Sequence, residues 1–323
     1  MPELPDITVY VEALRQRVVG RVLTRVSVRG PFFVRTFDPP TEVVEGRRVE
    51  AVGRLGKRIV LCLDGGLAVV LHLMIAGRLL WKVAGAKAGG RIDLAAFSFG
   101  EAGTLIVTEA STQKRAGMWV VRAPEGIRAL DPGGLDVLFC DLEAFEAVLL
   151  RENRTLKRAL TNPRMFDGIG NAYSDEILHA ARLSPIKRTG TTTPVERHML
   201  FEACRSTLTR WTDILRREFG LQQDGSGRFP GVGEITAFRP DFAVHGRYKK
   251  PCPVCGDPVQ RIVHAENEIN YCATCQTGGR VLADRSLSRL LKDDWPRTIE
   301  AWEGMAKGRG NPDNHFGRRI FNL

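Results

Sequence analysis

Residues 58–73 read Arg58-Ile59-Val60-Leu61-Cys62-Leu63-Asp64-Gly65-Gly66-Leu67-Ala68-Val69-Val70-Leu71-His72-Leu73. Two short apolar runs flank Asp-Gly-Gly, and this predicts a β-hairpin. Outward from it, further strands are predicted near 78–82, 92–99, 104–108 and 118–122. Upstream, Pro5-Asp6 opens a helix. Ile7, Tyr10, Val11, Leu14 and Val18 recur at helical spacing until Gly20 stops it. Residues 1–135 therefore predict one helix followed by a β-sandwich or barrel.

The pattern changes after Asp131-Pro132-Gly133-Gly134. Helices are predicted over 142–149, 155–160, 171–181 and 193–215, within a helical segment 142–237. Its last part, 220–237, is Gly-rich and lacks an apolar period, so it is expected to be a mobile loop, either a linker or a lid. A four-cysteine segment spans 238–280. Residues 281–323 form a tail with helices expected near 284–292 and after Trp295-Pro296.

The 323 residues are 43% hydrophobic and 26% charged, with a net charge of +10. This balance is that of a multidomain globular protein, and its positive charge suits a polyanion such as nucleic acid. No stretch is apolar for long enough to span a bilayer, and Pro2, Glu3, Pro5 and Asp6 interrupt any signal-peptide layout. A cytoplasmic, nucleoid-associated protein is expected. Seven cysteines, an odd number, argue against a disulfide framework.

Four of them form two C-x-x-C pairs, Cys252/Cys255 and Cys272/Cys275. That spacing suits one tetrahedral Zn²⁺ held by four thiolates, and a site filled by Cys alone is structural. The residues between the pairs should form a β-hairpin, with Gly256 allowing the turn after the second ligand. Cys62, Cys140 and Cys204 read as core thiols.

Other short motifs keep two readings each. Gly168-Ile169-Gly170-Asn171 precedes a helix: it is a phosphate-binding helix start or an ordinary capped one. Lys57, after Gly56, is a phosphate ligand or a solvated strand-end charge. Met74, at a strand end, is a core residue or a wedge entering a base stack. Pro2-Glu3 is chemically suggestive. Removal of the initiator methionine leaves a secondary amine on Pro2, with a pKa near the α-amino value of about 7.7–8.0. Such an amine attacks carbonyl-like carbon to give a Schiff base, and an adjacent carboxyl can move the proton.

Taken in order, Pro2-Glu3-Leu4-Pro5, Gly56-Lys57, Leu71-His72-Leu73-Met74-x-x-Gly77, Gly168-Ile169-Gly170-Asn171-x-Tyr173-x-x-Glu176, Val244-His245-Gly246-Arg247 and the four cysteines resemble the formamidopyrimidine-DNA glycosylase/endonuclease VIII family. The likeness covers roughly residues 2–276, and Leu4 is similar to the formamidopyrimidine branch. It implies a multidomain α+β fold: an N-terminal helix with a β-sandwich, a helix–two-turn–helix domain, and a four-cysteine zinc finger, here with a helical extension.

The resemblance implies a base-excision-repair DNA glycosylase and abasic-site lyase, acting as a monomer on double-stranded DNA that holds damaged bases or abasic sites. It gives Pro2 as nucleophile, Glu3 as general acid/base and Lys57 as a further active-site cation. His72, Met74, Arg115, Asn171 and the position of Asn267 would contact DNA, and Glu176 would support the site. It implies one structural Zn²⁺ and no nucleotide cofactor. Two positions depart from the family pattern. Asn267, between Glu266 and Glu268, stands where an arginine is usual, with Arg261 and Arg280 the nearby cations. Ala116 stands where an aromatic is usual. These departures motivate the alternative of a non-catalytic or narrowed damaged-DNA binder.

Overall fold

The computed structural model describes residues 1–222, 227–231, 233–264, 267–282 and 298. The helices expected in the tail lie outside the described residues, as do Ala265 and Glu266.

Helix α1 (Leu4–Val18) starts within one residue of the Pro5-Asp6 opening expected from the sequence, and Pro5 sits comfortably in its first turn. Asp6 accepts a hydrogen bond from the Glu3 backbone N–H at 2.9 Å, which satisfies an orphan donor at the helix start. The short strand β1 (Val22–Leu23) and β2 (Arg25–Val28) follow, then β3 (Arg47–Leu55), β4 (Arg58–Leu63) and β5 (Leu67–His72). After them come β6 (Gly77–Lys82), β7 (Asp93–Ser98), β8 (Thr104–Glu109) and β9 (Gly117–Arg122). They form two antiparallel sheets, ordered β1-β3-β4-β5-β9 and β2-β7-β8-β6. The hairpin predicted at 58–73 is the centre of the first sheet, with Arg58 opposite His72 and Leu63 opposite Leu67.

Alternation along β4 explains the layering. Ile59, Leu61 and Leu63 join a core shared by α1 and both sheets. Val60, with Ala68, Val70 and Val121, forms the opposite apolar face, against which Ile127 of α2 (Glu125–Ala129) packs. Ile7, Tyr10 and Leu14 of α1 are fully buried in the shared core. At about 1.5–3 kcal/mol for each such side chain, this packing fixes the N-terminus in place.

Helices α3 (Leu142–Leu150), α4 (Leu156–Leu160), α5 (Asn171–Ala180) and α6 (Pro194–Phe219) occupy the segment predicted to be helical. At the start of α6, Glu196 accepts from the Thr193 N–H and Thr193 Oγ1 accepts from the Glu196 N–H, a reciprocal cap. β10 (Gln260–His264) and β11 (Asn267–Tyr271) make the expected hairpin, followed by α7 (Ala273–Thr277). Among the described residues no helix is long and apolar enough to cross a membrane.

By contacts the chain forms two compact units. The first takes residues 1–151, 159–170 and 204–237, and the second takes 152–158, 171–203 and 238–323. The boundaries of these units cross those of the stretches 1–135, 142–237, 238–280 and 281–323. One expectation changes. The loop over 220–237 is not loose in its described parts. Leu221 and Ile235 are buried in the first core, and Phe229 packs on Tyr10 and Trp81. Arg17 donates to the Gly227 carbonyl at 2.9 Å and Arg78 to the Ile235 carbonyl at 2.6 Å. Three isolated apolar anchors without a period are enough to seat an irregular loop.

Candidate active site

In the first unit the chain start meets a loop far away in sequence. Leu4 N–H donates to the Gly168 carbonyl at 2.9 Å. Glu3, 2% exposed, accepts at Oε2 from the Gly170 N–H at 2.7 Å. Lys57 Nζ, from the turn between β3 and β4, donates to the Ile169 carbonyl at 2.8 Å. Three consecutive loop residues are therefore joined to Leu4, Lys57 and Glu3. A charge-assisted bond of this kind contributes about 1.5–3 kcal/mol.

Both glycines are required by closeness. A Cβ on Gly170 would stand 2.4 Å from Glu3 Cδ, and one on Gly168 would stand 2.7 Å from Leu4 Cβ. Gly168 also has φ +75°, a conformation costly for other residues. Beside the loop, Asp167 is paired with Arg54 at 2.5 Å, and Arg54 also grips Asp136. Burial pushes the Asp167 carboxyl up, while Arg54 pulls it down.

The site's surroundings lower the pKa of both nearby amines. Burial lowers the Lys57 pKa, offset by the charges of Glu3 and then Asp167. The amino group of Met1 is likewise lowered by burial. Glu3 raises it, Arg78 lowers it, and Asp6 and Lys57 act more weakly. Pro2 is itself buried.

The remaining first-unit candidates lie at strand ends. His72 closes β5; burial and then the charges of Arg58 and Lys57 lower its pKa to about 4, so it is neutral at pH 7. Met74 follows in the left-handed region at φ +50°. Backbone strain in a non-glycine residue is characteristic of functional turns. Arg115 is exposed, with its backbone N–H bound to the buried Glu109 carboxylate at 2.9 Å. The neighbouring Ala116 is buried and its N–H donates to the same carboxylate at 3.1 Å.

The second unit holds Asn171, Glu176, Asn267 and the cysteines. Asn171 begins α5, Asn267 begins β11, and the two are placed by those elements. Glu176 accepts from the backbone N–H groups of Ala243, Val244 and His245 at 2.6, 2.9 and 2.9 Å. Burial raises its pKa, and the three donors oppose that. Its local task is to hold the 243–245 segment.

Beside it, Asp175 is a hub that the sequence did not reveal. It pairs with Lys157 at 2.5 Å and His245 Nδ1 at 2.8 Å, and accepts from the Asn270 N–H at 3.2 Å. Asp175 and Lys157 side chains are 0% and 6% exposed. The only sequence signals were adjacent acids at 175–176 and a His in Val244-His245-Gly246-Arg247. Arg261 is engaged by the Tyr248 ring at 4.5 Å and by Glu268 at 3.5 Å.

The four thiols converge as the spacing required. Their sulfurs all lie within 4.8 Å of one another, with Cys252–Cys275 at 3.9 Å and Cys255–Cys272 at 3.4 Å. Tetrahedral Zn²⁺ with Zn–S bonds of about 2.3 Å needs sulfurs about 3.8 Å apart, so the set fits. His179 Nε2 approaches Cys252 Sγ at 3.3 Å and can orient that ligand. The cluster is a site for one structural Zn²⁺.

Comparisons with known proteins bear on both units. Residues 1–116 match the formamidopyrimidine-DNA glycosylase N-terminal domain, and residues 249–278 match the zinc finger found in FPG and IleRS. The formamidopyrimidine-DNA glycosylase of Thermus thermophilus is 32% identical over 287 residues, 86% of this chain and 100% of that protein. An uncharacterized formamidopyrimidine-DNA glycosylase-like protein of Mycobacterium tuberculosis is 42% identical over 165 residues, 51% of this chain and 96% of its own length. The crystal structure of the MutM (Fpg) protein from Thermus thermophilus aligns with TM-score 0.70 at 32% identity, over 85% of this chain and 98% of that one. Lactococcus lactis Fpg, solved with DNA containing an abasic site, shares the fold with TM-score 0.72 at 20% identity, over 85% and 99%. A whole-length relative and a solved structure at 32% identity, together with matches at both ends of the chain, place this protein in the formamidopyrimidine-DNA glycosylase family.

Proposed function

We propose that this family member is a bifunctional DNA glycosylase and abasic-site lyase acting on damaged bases in duplex DNA. Base flipping brings the damaged nucleotide out of the stack. After removal of Met1, the Pro2 nitrogen attacks the sugar C1′. The glycosidic bond breaks and the base leaves with a proton. Glu3 protonates the ring oxygen as the sugar opens, and the product is an iminium. Because proline is a secondary amine, that iminium keeps its positive charge and draws electrons from C2′. Loss of the C2′ proton expels the 3′ phosphate, and a second elimination expels the 5′ phosphate.

The observation that carries this reading is the Glu3 carboxylate, buried beside Pro2 and fixed by the Gly170 N–H at 2.7 Å. A buried carboxyl held in place by backbone donors suits proton transfer at a defined atom. Lys57, lowered by burial, would bind a phosphate oxygen or share the proton traffic. His72, Met74, Arg115, Asn171 and Asn267 are the proposed DNA contacts, with Met74 filling the space the flipped base leaves. Nucleoid association follows from that partner.

The test is a set of duplexes each holding one damaged base, scored separately for base release and for strand nicking by the purified chain. Release followed by nicking at the same site is expected. Tight binding without either product would overturn the proposal.

A further inference from the structure

A 3-10 turn at Pro31–Phe33 leads into residues 34–36, which run along the edge of β9. Val34 bridges Met118 in parallel, Arg35 N–H donates to the Met118 carbonyl at 2.8 Å, and Thr36 Oγ1 accepts from the Val120 N–H at 2.9 Å. The parallel sense means that the turn holding Phe32 enters from the Gly117 end of β9 and that the chain leaves toward Phe37 at the Arg122 end. Arg35 lies against Gly117, where a Cβ would be 3.0 Å from its side chain, and its guanidinium donates to the Arg115 carbonyl at 3.4 Å. The segment and the 110–117 loop therefore make one rim.

That rim is cationic and carries an exposed aromatic. Arg35 and Arg115 are both exposed, and Phe32 is 79% exposed. The loop itself, Ala110-Ser111-Thr112-Gln113-Lys114-Arg115-Ala116-Gly117, offers no aromatic, and Ala116 is buried. Exposed apolar residues are common singly. Phe32 differs because its turn leads straight into the residues paired with β9, three positions before Arg35, whose guanidinium reaches the Arg115 carbonyl. An aromatic ring between cations is how proteins meet a nucleic-acid stack: the charges hold the backbone and the ring takes a base face.

We propose that Phe32 is a wedge that stacks in the duplex beside the lesion, supplying from the 31–37 segment the aromatic that the 110–117 loop lacks. This rests on the glycosylase reading, since the gap left by a flipped base makes room for a ring. It adds a lesion-sensing residue outside that loop. Phe37, 93% exposed at the other end of β9, is the built-in control.

The experiment compares binding of the full chain to two duplexes that differ only in a tetrahydrofuran abasic analogue, by competition anisotropy. Phe32→Ala is expected to weaken binding to the abasic duplex about 5- to 100-fold, from the loss of one base–aromatic stack. Binding to the intact duplex should change less than about twofold, and Phe32→Trp should retain the preference. Phe37→Ala should behave as wild type, and unchanged melting of Phe32→Ala verifies folding. Phe32→Ala binding the abasic duplex like wild type, or losing both duplexes equally, overturns the proposal while leaving the glycosylase reading intact. A wild-type chain with no preference for the abasic duplex overturns both.

Discussion

Replacing Gly170 by alanine separates fold from chemistry at the candidate site. The added Cβ would stand 2.4 Å from Glu3 Cδ and 2.6 Å from Oε1, while 3.4 Å is the onset of ordinary contact. About 1 Å of displacement is therefore needed. Gly170 is not in the left-handed region, so the backbone accepts alanine, and the group that yields is the far end of the Glu3 side chain. Moving it weakens the 2.7 Å bond from the Gly170 N–H, whose loss costs about 1.5–3 kcal/mol. A displacement of about 1 Å in a reacting group costs on the order of 100-fold. Single-turnover base release at a temperature where the variant stays folded should thus fall about 100-fold, while the stability lost is at most that bond's contribution of about 1.5–3 kcal/mol. Gly168→Ala is the contrast: its clash is with Leu4 Cβ, which cannot swing away, and its φ of +75° resists alanine. That variant should lose stability, by about 2 kcal/mol or more. Base release by Gly170→Ala within about threefold of wild type would refute the reasoning.

Other consequences follow from particular groups. Asp175→Asn leaves Lys157 buried without its counter-charge and should lower unfolding free energy by about 3–5 kcal/mol, read by urea denaturation. His72 titrates near pH 4 when folded and near 6.5 when unfolded, so the unfolded chain binds the extra proton between those values and stability falls as pH drops from about 6.5 to 4. That interval corresponds to at most about 3 kcal/mol, and His72→Gln should show a correspondingly smaller acid loss in melts across this range. One Zn²⁺ per chain should be found by elemental analysis. Chelation or Cys272→Ser should unfold the 252–275 segment, seen as loss of amide protection there.

Most of the fold was legible in residues whose environment is local. β4 to β9 announced themselves as short apolar runs between polar or glycine-containing turns. β2 and β3 did not, because Arg25, Arg47, Arg48 and Arg54 interrupt their apolar alternation. The Zn²⁺ ligands were legible because their spacing is itself the geometry. Pro2, Glu3 and Lys57 stood out in the sequence as chemically suggestive, whereas the loop that binds Glu3 and Lys57 did not. Glycine at 168 and 170 signals a turn, whereas its contact with Glu3 spans 167 residues of sequence. The Asp175–Lys157–His245–Asn270 hub was invisible for the same reason: polar residues on short helices look solvent-facing until the fold brings their partners. The 220–237 loop misled because its anchors, Leu221, Phe229 and Ile235, follow no period.

The central claim is that the Pro2 nitrogen becomes covalently attached to the sugar. Borohydride reduction during reaction of the purified chain with abasic-site DNA, followed by peptide mass mapping, reads this directly. The account predicts one adduct, on the peptide beginning at Pro2, absent when that amine is blocked and absent in any chain that keeps Met1. An adduct on Lys57 or another lysine, or strand nicking undiminished by blocking the Pro2 amine, would contradict it.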